Sequence, residues 1–225
     1  MILIFDLDDT LYPEISYVKS GFQEVSRHLS KYYELSESET NSCLLKILKA
    51  DGRGKIFDKF LKFKKIYTKK NVNECISVYR NHSPKITLYS DAKDCITRFK
   101  KYKKYIITDG NVRVQRRKIE ALGIKSQFTK VIPTYQYGIS HSKPSLLCFN
   151  KIMQYENCKP SEMIYIGDNQ NKDFINIKKI GMRTARILRG SFKDIYIDEH
   201  HEAEFKFKNL KGITKTLIRN LYEDR

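Results

Sequence analysis

The chain opens Met1-Ile2-Leu3-Ile4-Phe5-Asp6-Leu7-Asp8-Asp9-Thr10, an apolar run that ends in acidic and hydroxyl residues. The run reads as a strand. Along an extended chain alternate side chains share a face, so Asp6 and Asp8 start out pointing one way. Where the chain turns past the strand, the two carboxylates can flank one reacting atom from different directions. Carboxylates this close repel and desolvate each other unless a proton or a cation sits between them. A divalent metal with hard oxygen ligands, magnesium above all, relieves that repulsion. A second reading of the same residues is a helix start capped by Asp9 or Thr10.

The pattern of the first strand recurs along the chain. Tyr105-Ile106-Ile107 runs into Thr108-Asp109-Gly110, Val131-Ile132 follows, and Met163-Ile164-Tyr165-Ile166 runs into Gly167-Asp168. Arg183 to Leu188 reads as a fifth strand. Helical patterns lie between them, over 91–101, 112–122, 144–155 and 173–180, with Gly123 and Gly181 at C-cap positions and Pro144 at a first helical position. Near-continuous apolar strands alternating with helices predict an α/β fold, a Rossmann-like doubly wound parallel sheet covered on both faces. Ligands in such sheets bind outside the carboxyl ends of the strands.

The first two strands are separated by a long helical interval. Ser36-Glu37-Ser38-Glu39 reads as a capping box, and apolar residues recur at helical spacing through Cys43, Leu44, Ile47 and Leu48. Phe57, Phe60 and Phe63 read as a stripe of core aromatics. The predicted division is a core of 1–11 with 88–225 and an inserted all-helical domain over 12–87.

At 225 residues the chain suffices for one core carrying such an insert. Its 40% hydrophobic and 31% charged residues suit a soluble globular protein. No apolar run reaches the roughly 18 residues of a membrane span, and Asp6 interrupts any signal-peptide pattern, so the expected location is cytoplasmic without membrane attachment. The five cysteines are widely spaced with no Cys-x-x-Cys pair, which predicts reduced thiols rather than a zinc ribbon or disulfide framework. His200-His201-Glu202, within a charged stretch, reads as solvated. The net charge of +17 comes from lysines spread along the chain without a nucleic-acid motif, so attraction of anionic small molecules is expected rather than specific nucleic-acid binding.

Strand ends thus carry the residues useful for phosphate chemistry. Asp6 and Asp8 close the first; Thr108, Asp109 and Gly110 offer a hydroxyl and turn amides for an anion. Lys143 before Pro144 places a cation at a predicted helix start. Gly167-Asp168-Asn169-Gln170-Asn171-Lys172-Asp173 adds two carboxylates. In this order the four motifs resemble the haloacid dehalogenase superfamily, and within it the phosphatases with a helical cap of the first type. The resemblance spans essentially the whole chain.

That resemblance implies a magnesium-dependent phosphomonoester hydrolase working through an aspartyl-phosphate. Asp6 is then the nucleophile, and Asp8 the acid for the leaving oxygen and base for water. Lys143 is the cation that neutralises nucleophile and phosphoryl group. Thr108, Asp109, Gly110 and Lys143 hold phosphate. Asp6, the Asp8 carbonyl and Asp168 hold Mg2+, while Asp173 orients a metal-bound water or Lys143 and Thr10 supports the site from behind. Asp8 favours phosphoryl transfer over dehalogenation, which does not need that acid. Asp9, where many relatives carry glycine, has no expected catalytic role. Tyr12, Glu14 and His141 are candidates for substrate contact. The expected partner is a small phosphorylated metabolite, a sugar phosphate or a nucleoside monophosphate, acted on by a monomer or homodimer. Two alternatives share these residues: a phosphomutase, and a non-catalytic binding protein on the same scaffold.

Overall fold

A computed structural model describes residues 1–223. The chain forms two compact units, one combining Met1–Glu14 with the chain from Thr87 onward, the other comprising Ile15–Ile86. In chain order the elements are β1 (Ile2–Phe5), α1 (Glu14–Tyr33), α2 (Glu37–Asp51), α3 (Ile56–Phe63), α4 (Lys69–Asn81), α5 (Ser90–Arg98), β2 (Lys104–Thr108), α6 (Val112–Leu122) and β3 (Lys130–Pro133). There follow α7 (Leu147–Glu156), β4 (Met163–Gly167), α8 (Ile175–Lys179), β5 (Arg183–Ile187), β6 (Phe205–Phe207) and α9 (Lys215–Glu223).

The first unit holds one six-stranded parallel sheet in the order β3-β2-β1-β4-β5-β6. Strand β1 lies in its middle, with Phe5 beside Ile106 of β2 and Ile166 of β4. Every residue of β1, β2 and β4 is buried, as expected of strands covered on both faces. Ile2, Ile4, Tyr105, Ile107, Met163 and Tyr165 pack with Phe149 and Ile152 of α7, Ile177 of α8 and Phe174 just before it. The order of connections reverses beside β1, so its carboxyl end and those of β2 and β4 open at the switch point where such sheets bind ligands.

The second unit has its own apolar core, built on Val18, Phe22, Val25, Leu29, Leu44, Phe60, Leu61 and Cys75. Ser36 and Thr68 cap α2 and α4 by accepting from the Glu39 and Asn71 amides at 3.3 and 3.0 Å. Among the described residues no helix is long and apolar enough to cross a membrane. All five cysteines are free thiols.

Several expectations are corrected. Phe63 is 70% exposed although Phe60 is fully buried. Steps of three residues each fall about 60° short of a full turn, so a 57-60-63 series rotates off the apolar face. Leu61, at the better-matched step of four from Phe57, takes the core position instead. Helix α7 starts at Leu147, not Pro144, because a turn closed by the Ser145 amide on the Ser142 carbonyl at 2.9 Å intervenes. Lys143 is therefore not at a helix N-terminus. Strand β6 and helix α9 were not anticipated: β6 is three residues long, at the sheet edge, with Lys206 between two phenylalanines. Glu202 is buried rather than solvated, paired with the buried Arg186 at 2.9 Å.

Candidate active site

The carboxyl ends of β1, β2 and β4 deliver Asp6, Thr108 and Asp168 to one place because the three strands are neighbours in register. The Asp6 amide donates to the Ile166 carbonyl at 2.8 Å, so the residue continues the sheet before the chain turns. The carboxylates of Asp6, Asp168 and Asp173 gather with one oxygen of each within 4.8 Å of the others, all three buried. Glycine at 167 makes this possible, since a Cβ there would collide with the Asp173 carboxylate. Thr10 donates to Asp168 Oδ1 at 3.4 Å.

Lys143, 5% exposed, is the cation of the cluster. Its Nζ lies 2.6 Å from Asp6 Oδ1, 2.7 Å from Asp173 Oδ1 and 2.8 Å from the Tyr165 hydroxyl. Tyr165 in turn donates to Asp173 at 3.3 Å. One cation against three carboxylates leaves negative charge uncompensated. Burial pushes the Asp6 carboxyl up to about 7 despite Lys143. Burial and the charges of Asp6 and Asp173 push Asp168 well above the usual carboxylate range. Burial opposes the charge on Lys143, but Asp173 and Asp6 outweigh it and hold the ammonium firmly protonated. A cluster of buried carboxylate oxygens that outnumber the one ammonium among them fits a hard divalent cation. The Asp173 carboxylate belongs to the same buried cluster as those of Asp6 and Asp168.

Asp8 does not point into that cluster. Its carboxylate receives Lys118 Nζ at 2.7 Å and the Tyr12 hydroxyl on Oδ1, and Gln115 Nε2 at 3.1 Å on Oδ2. Burial would push its pKa up, yet Lys118 and the donors from Lys118, Tyr12 and Gln115 hold it below the usual range. The two motif-one carboxylates therefore differ in environment, Asp6 lying against Lys143 among other carboxylates and Asp8 held by donors from Lys118, Tyr12 and Gln115.

On the β2 side, the Thr108 hydroxyl is buried with no hydrogen-bond partner among the described residues, an orphaned donor at the place expected of a phosphate ligand. Asp109 does more than offer its amide. Its Oδ1 accepts from Thr134 Oγ1 at 2.8 Å and the Lys143 amide at 3.1 Å, and its Oδ2 accepts from Lys172 Nζ at 2.8 Å. It thereby ties the Lys143 loop and the Lys172 turn to β2. Burial works against the Asp109 charge, but Lys143 and Lys172 lower its pKa on balance.

The candidate contacts fare differently. Tyr12 is fully buried, and its hydroxyl donates to Asp8. Glu14 begins α1, its amide donating to Asp9 Oδ1 at 2.9 Å. His141 lies in a short turn over Ile139–His141, half-buried, outside the hydrogen bonds that join Asp6, Asp109 and Lys143. Asp9 has a backbone role: at φ 53° it adopts the left-handed conformation and its Oδ2 accepts from the Ser191 amide at 3.3 Å. Helix α1 begins five residues further on, at Glu14, so Asp9 is not its N-cap, although its carboxylate accepts from the first amide of that helix.

Sequence reasoning missed Gln115, Lys118, Tyr165 and Lys172. A signal for the first two existed. Gln115, Lys118 and Ile119 are the buried residues of α6, while Arg116 and Arg117 lie between them, so polar residues at i and i+3 share the face of Ile119.

These features define a class, and the chain belongs to it: the profile of haloacid dehalogenase-like hydrolases matches residues 3–187, and the protein is an enzyme of the phosphatase kind. It is 31% identical to a glyceraldehyde 3-phosphate phosphatase of Methanocaldococcus jannaschii, the match covering 99% of this chain and 98% of that one. It is 27% identical to the protein of the same name from Pyrococcus furiosus, over 100% and 95% of the two chains. The fold is shared with a phosphatase of the superfamily from Thermococcus onnurineus (TM-score 0.61, 22% identity, 96% and 97% covered). It is shared as well with L-2-haloacid dehalogenase from Xanthobacter autotrophicus (TM-score 0.61, 15% identity, 97% and 98% covered). Fold alone does not separate those chemistries.

Proposed function

We propose that the protein is a magnesium-dependent phosphomonoester hydrolase acting on a small sugar phosphate, glyceraldehyde 3-phosphate or a close relative of it, through a phosphoryl group carried on Asp6. The observation that carries this reading is the pairing of two differently held carboxylates, Asp6 beside Lys143 Nζ at 2.6 Å and Asp8 beside Lys118 Nζ at 2.7 Å. The relatives named above favour a sugar phosphate over a nucleoside monophosphate.

Asp6 attacks phosphorus in line and displaces the alcohol, forming an acyl phosphate. Asp8 donates a proton to the departing oxygen and later takes one from the water that hydrolyses the intermediate. Lys143 offsets charge on both nucleophile and phosphoryl group, and Thr108 with the Asp109 and Gly110 amides holds the phosphoryl oxygens. Asp6, the Asp8 carbonyl and Asp168 would hold Mg2+, with Asp173 orienting the shell or Lys143. Bound there, the ion supplies neutralisation of the charge that keeps an anionic nucleophile and an anionic phosphate apart. The helical unit over 15–86 is proposed as the cap that selects the organic part of the substrate, on the ground that the chain enters it directly after Asp8 and Tyr12.

A phosphate-release screen over three- to six-carbon sugar phosphates and nucleoside monophosphates, with magnesium and with a chelator, tests this. The expected outcome is metal-dependent release that favours a short sugar phosphate. Isomer formation outpacing phosphate release, and requiring a bisphosphate, would establish a phosphomutase instead.

A further inference from the structure

Helix α6 faces the site with two polar side chains that the reaction above does not use. Lys118 has a side chain only 4% exposed, yet ends on a carboxylate 110 residues earlier in the chain. Burying an ammonium is costly unless it is paired, so a lysine kept at this depth is tied to its partner. Its Nζ also lies 5.9 Å from the centre of the Tyr12 ring, whose hydroxyl meets the same Asp8 oxygen. One turn earlier, Gln115 donates from a single amide nitrogen to two acceptors, Asp8 Oδ2 and the Asp109 carbonyl. It is thus a strut between the acid of β1 and the phosphate loop after β2.

The local backbone is shaped for that strut. Gly110 sits at φ 125°, and a Cβ there would come within 3.0 Å of Gln115 Nε2. Asn111 caps α6 by accepting from the Arg113 and Val114 amides at 3.1 and 3.2 Å, which fixes where the first turn begins. Three donors on two oxygens leave the Asp8 carboxylate little rotational freedom.

We infer that Lys118, with Gln115, is a positioning residue that fixes the Asp8 carboxyl on the line of the leaving oxygen, so that α6 couples phosphate capture to protonation of the leaving group. The inference rests on the reading of Asp8 as acid and base. It makes Lys118 matter only as far as the leaving group needs a proton. An alkoxide needs one, whereas 4-nitrophenolate departs without.

The test compares kcat/KM, which reports the steps through the first phosphoryl transfer, for an alkyl ester and for 4-nitrophenyl phosphate, both with magnesium. In Lys118→Met the value for the alkyl ester is expected to fall at least about tenfold and that for the aryl ester less than about threefold, given that general acid catalysis is worth about 10²–10⁴-fold. Gln115→Leu, which leaves the buried ion pair in place, is expected to show the same ordering more weakly and carries the comparison should Lys118→Met not fold. Introduced into Asp8→Ala, Lys118→Met is expected to cause no further loss on the alkyl ester. Equal losses on the two esters, or a further loss in the Asp8→Ala background, would overturn the inference while leaving the hydrolase reading intact. A wild-type chain that cleaves neither ester would overturn both.

Discussion

Asp9 shows how much one backbone angle can decide. It follows the two carboxylates assigned to chemistry and has the same side chain, yet its φ of 53° turns it away from them and towards the Glu14 and Ser191 amides. Asp tolerates the left-handed region better than most residues, and glycine better still. Asp9→Ala loses two hydrogen bonds and keeps the strain, so it is expected to destabilise the fold by roughly 1–3 kcal/mol. Asp9→Gly relieves the strain and is expected to cost less, and chemical denaturation of the two variants reads the order. An equal or larger loss in Asp9→Gly would mean that strain plays no part. The placement of Asp6 and Asp8 at a strand end was legible from their spacing, but Lys118 and Gln115 were not, because a lysine or glutamine in the middle of a helix ordinarily marks its wet face. Only the register of α6 against β1 makes them site residues.

At the scale of elements, spacing was informative where an element is long and buried. Helix α6 runs over 112–122, the range its pattern predicts, and β2 and β4 extend their predicted cores by a residue or two. Short edge elements escaped because three residues carry no period. What holds such a margin in place is polar: Asp91 on α5 takes Arg189 in two contacts of 3.1 and 2.7 Å and the Leu210 amide at 2.7 Å. Burial raises its pKa, but these donors overcome that and leave it lowered. An acid whose folded value is depressed contributes stability that is present above its unfolded value and lost as pH falls through the folded one. Asp91→Asn is therefore expected to lower stability by about 2 kcal/mol or more at pH 7, as removal of one partner of a buried pair does. The gap between variant and wild type should narrow as pH drops below the ordinary value of 3.8. Urea midpoints across that range measure it, and a gap independent of pH would contradict the assignment.

The whole molecule adds a field. The net charge of +17 means that lysines outside the site add to the attraction that Lys143 within it exerts on a phosphorylated substrate. The apparent KM should then rise severalfold as salt increases and the Debye length shrinks from about 30 Å at 0.01 M to about 8 Å at 0.15 M, with kcat little changed. Steady-state kinetics at several ionic strengths decides this, and a KM insensitive to salt would confine the charge to solubility. The parallel alternation of strands and helices, the strand-end motifs and the helical character of the insert could be read from the sequence, since each follows from local pattern and motif order; the order of strands in the sheet could not, because it is set by tertiary pairing. The identity of the sugar could not, because recognition of the organic part depends on tertiary placement that no motif encodes.

The central claim is that Asp6 carries the phosphoryl group while Asp8 serves as acid and base. Acid-quenching Asp8→Ala during turnover of 4-nitrophenyl phosphate, whose leaving group needs no proton, and locating the phosphoryl group by peptide mass spectrometry separates the two roles. The expected result is a phosphoryl group on Asp6 that accumulates in Asp8→Ala, and no turnover in a folded Asp6→Asn. Phosphate release by Asp6→Asn, or turnover with no phosphoryl group ever found on Asp6, would contradict it.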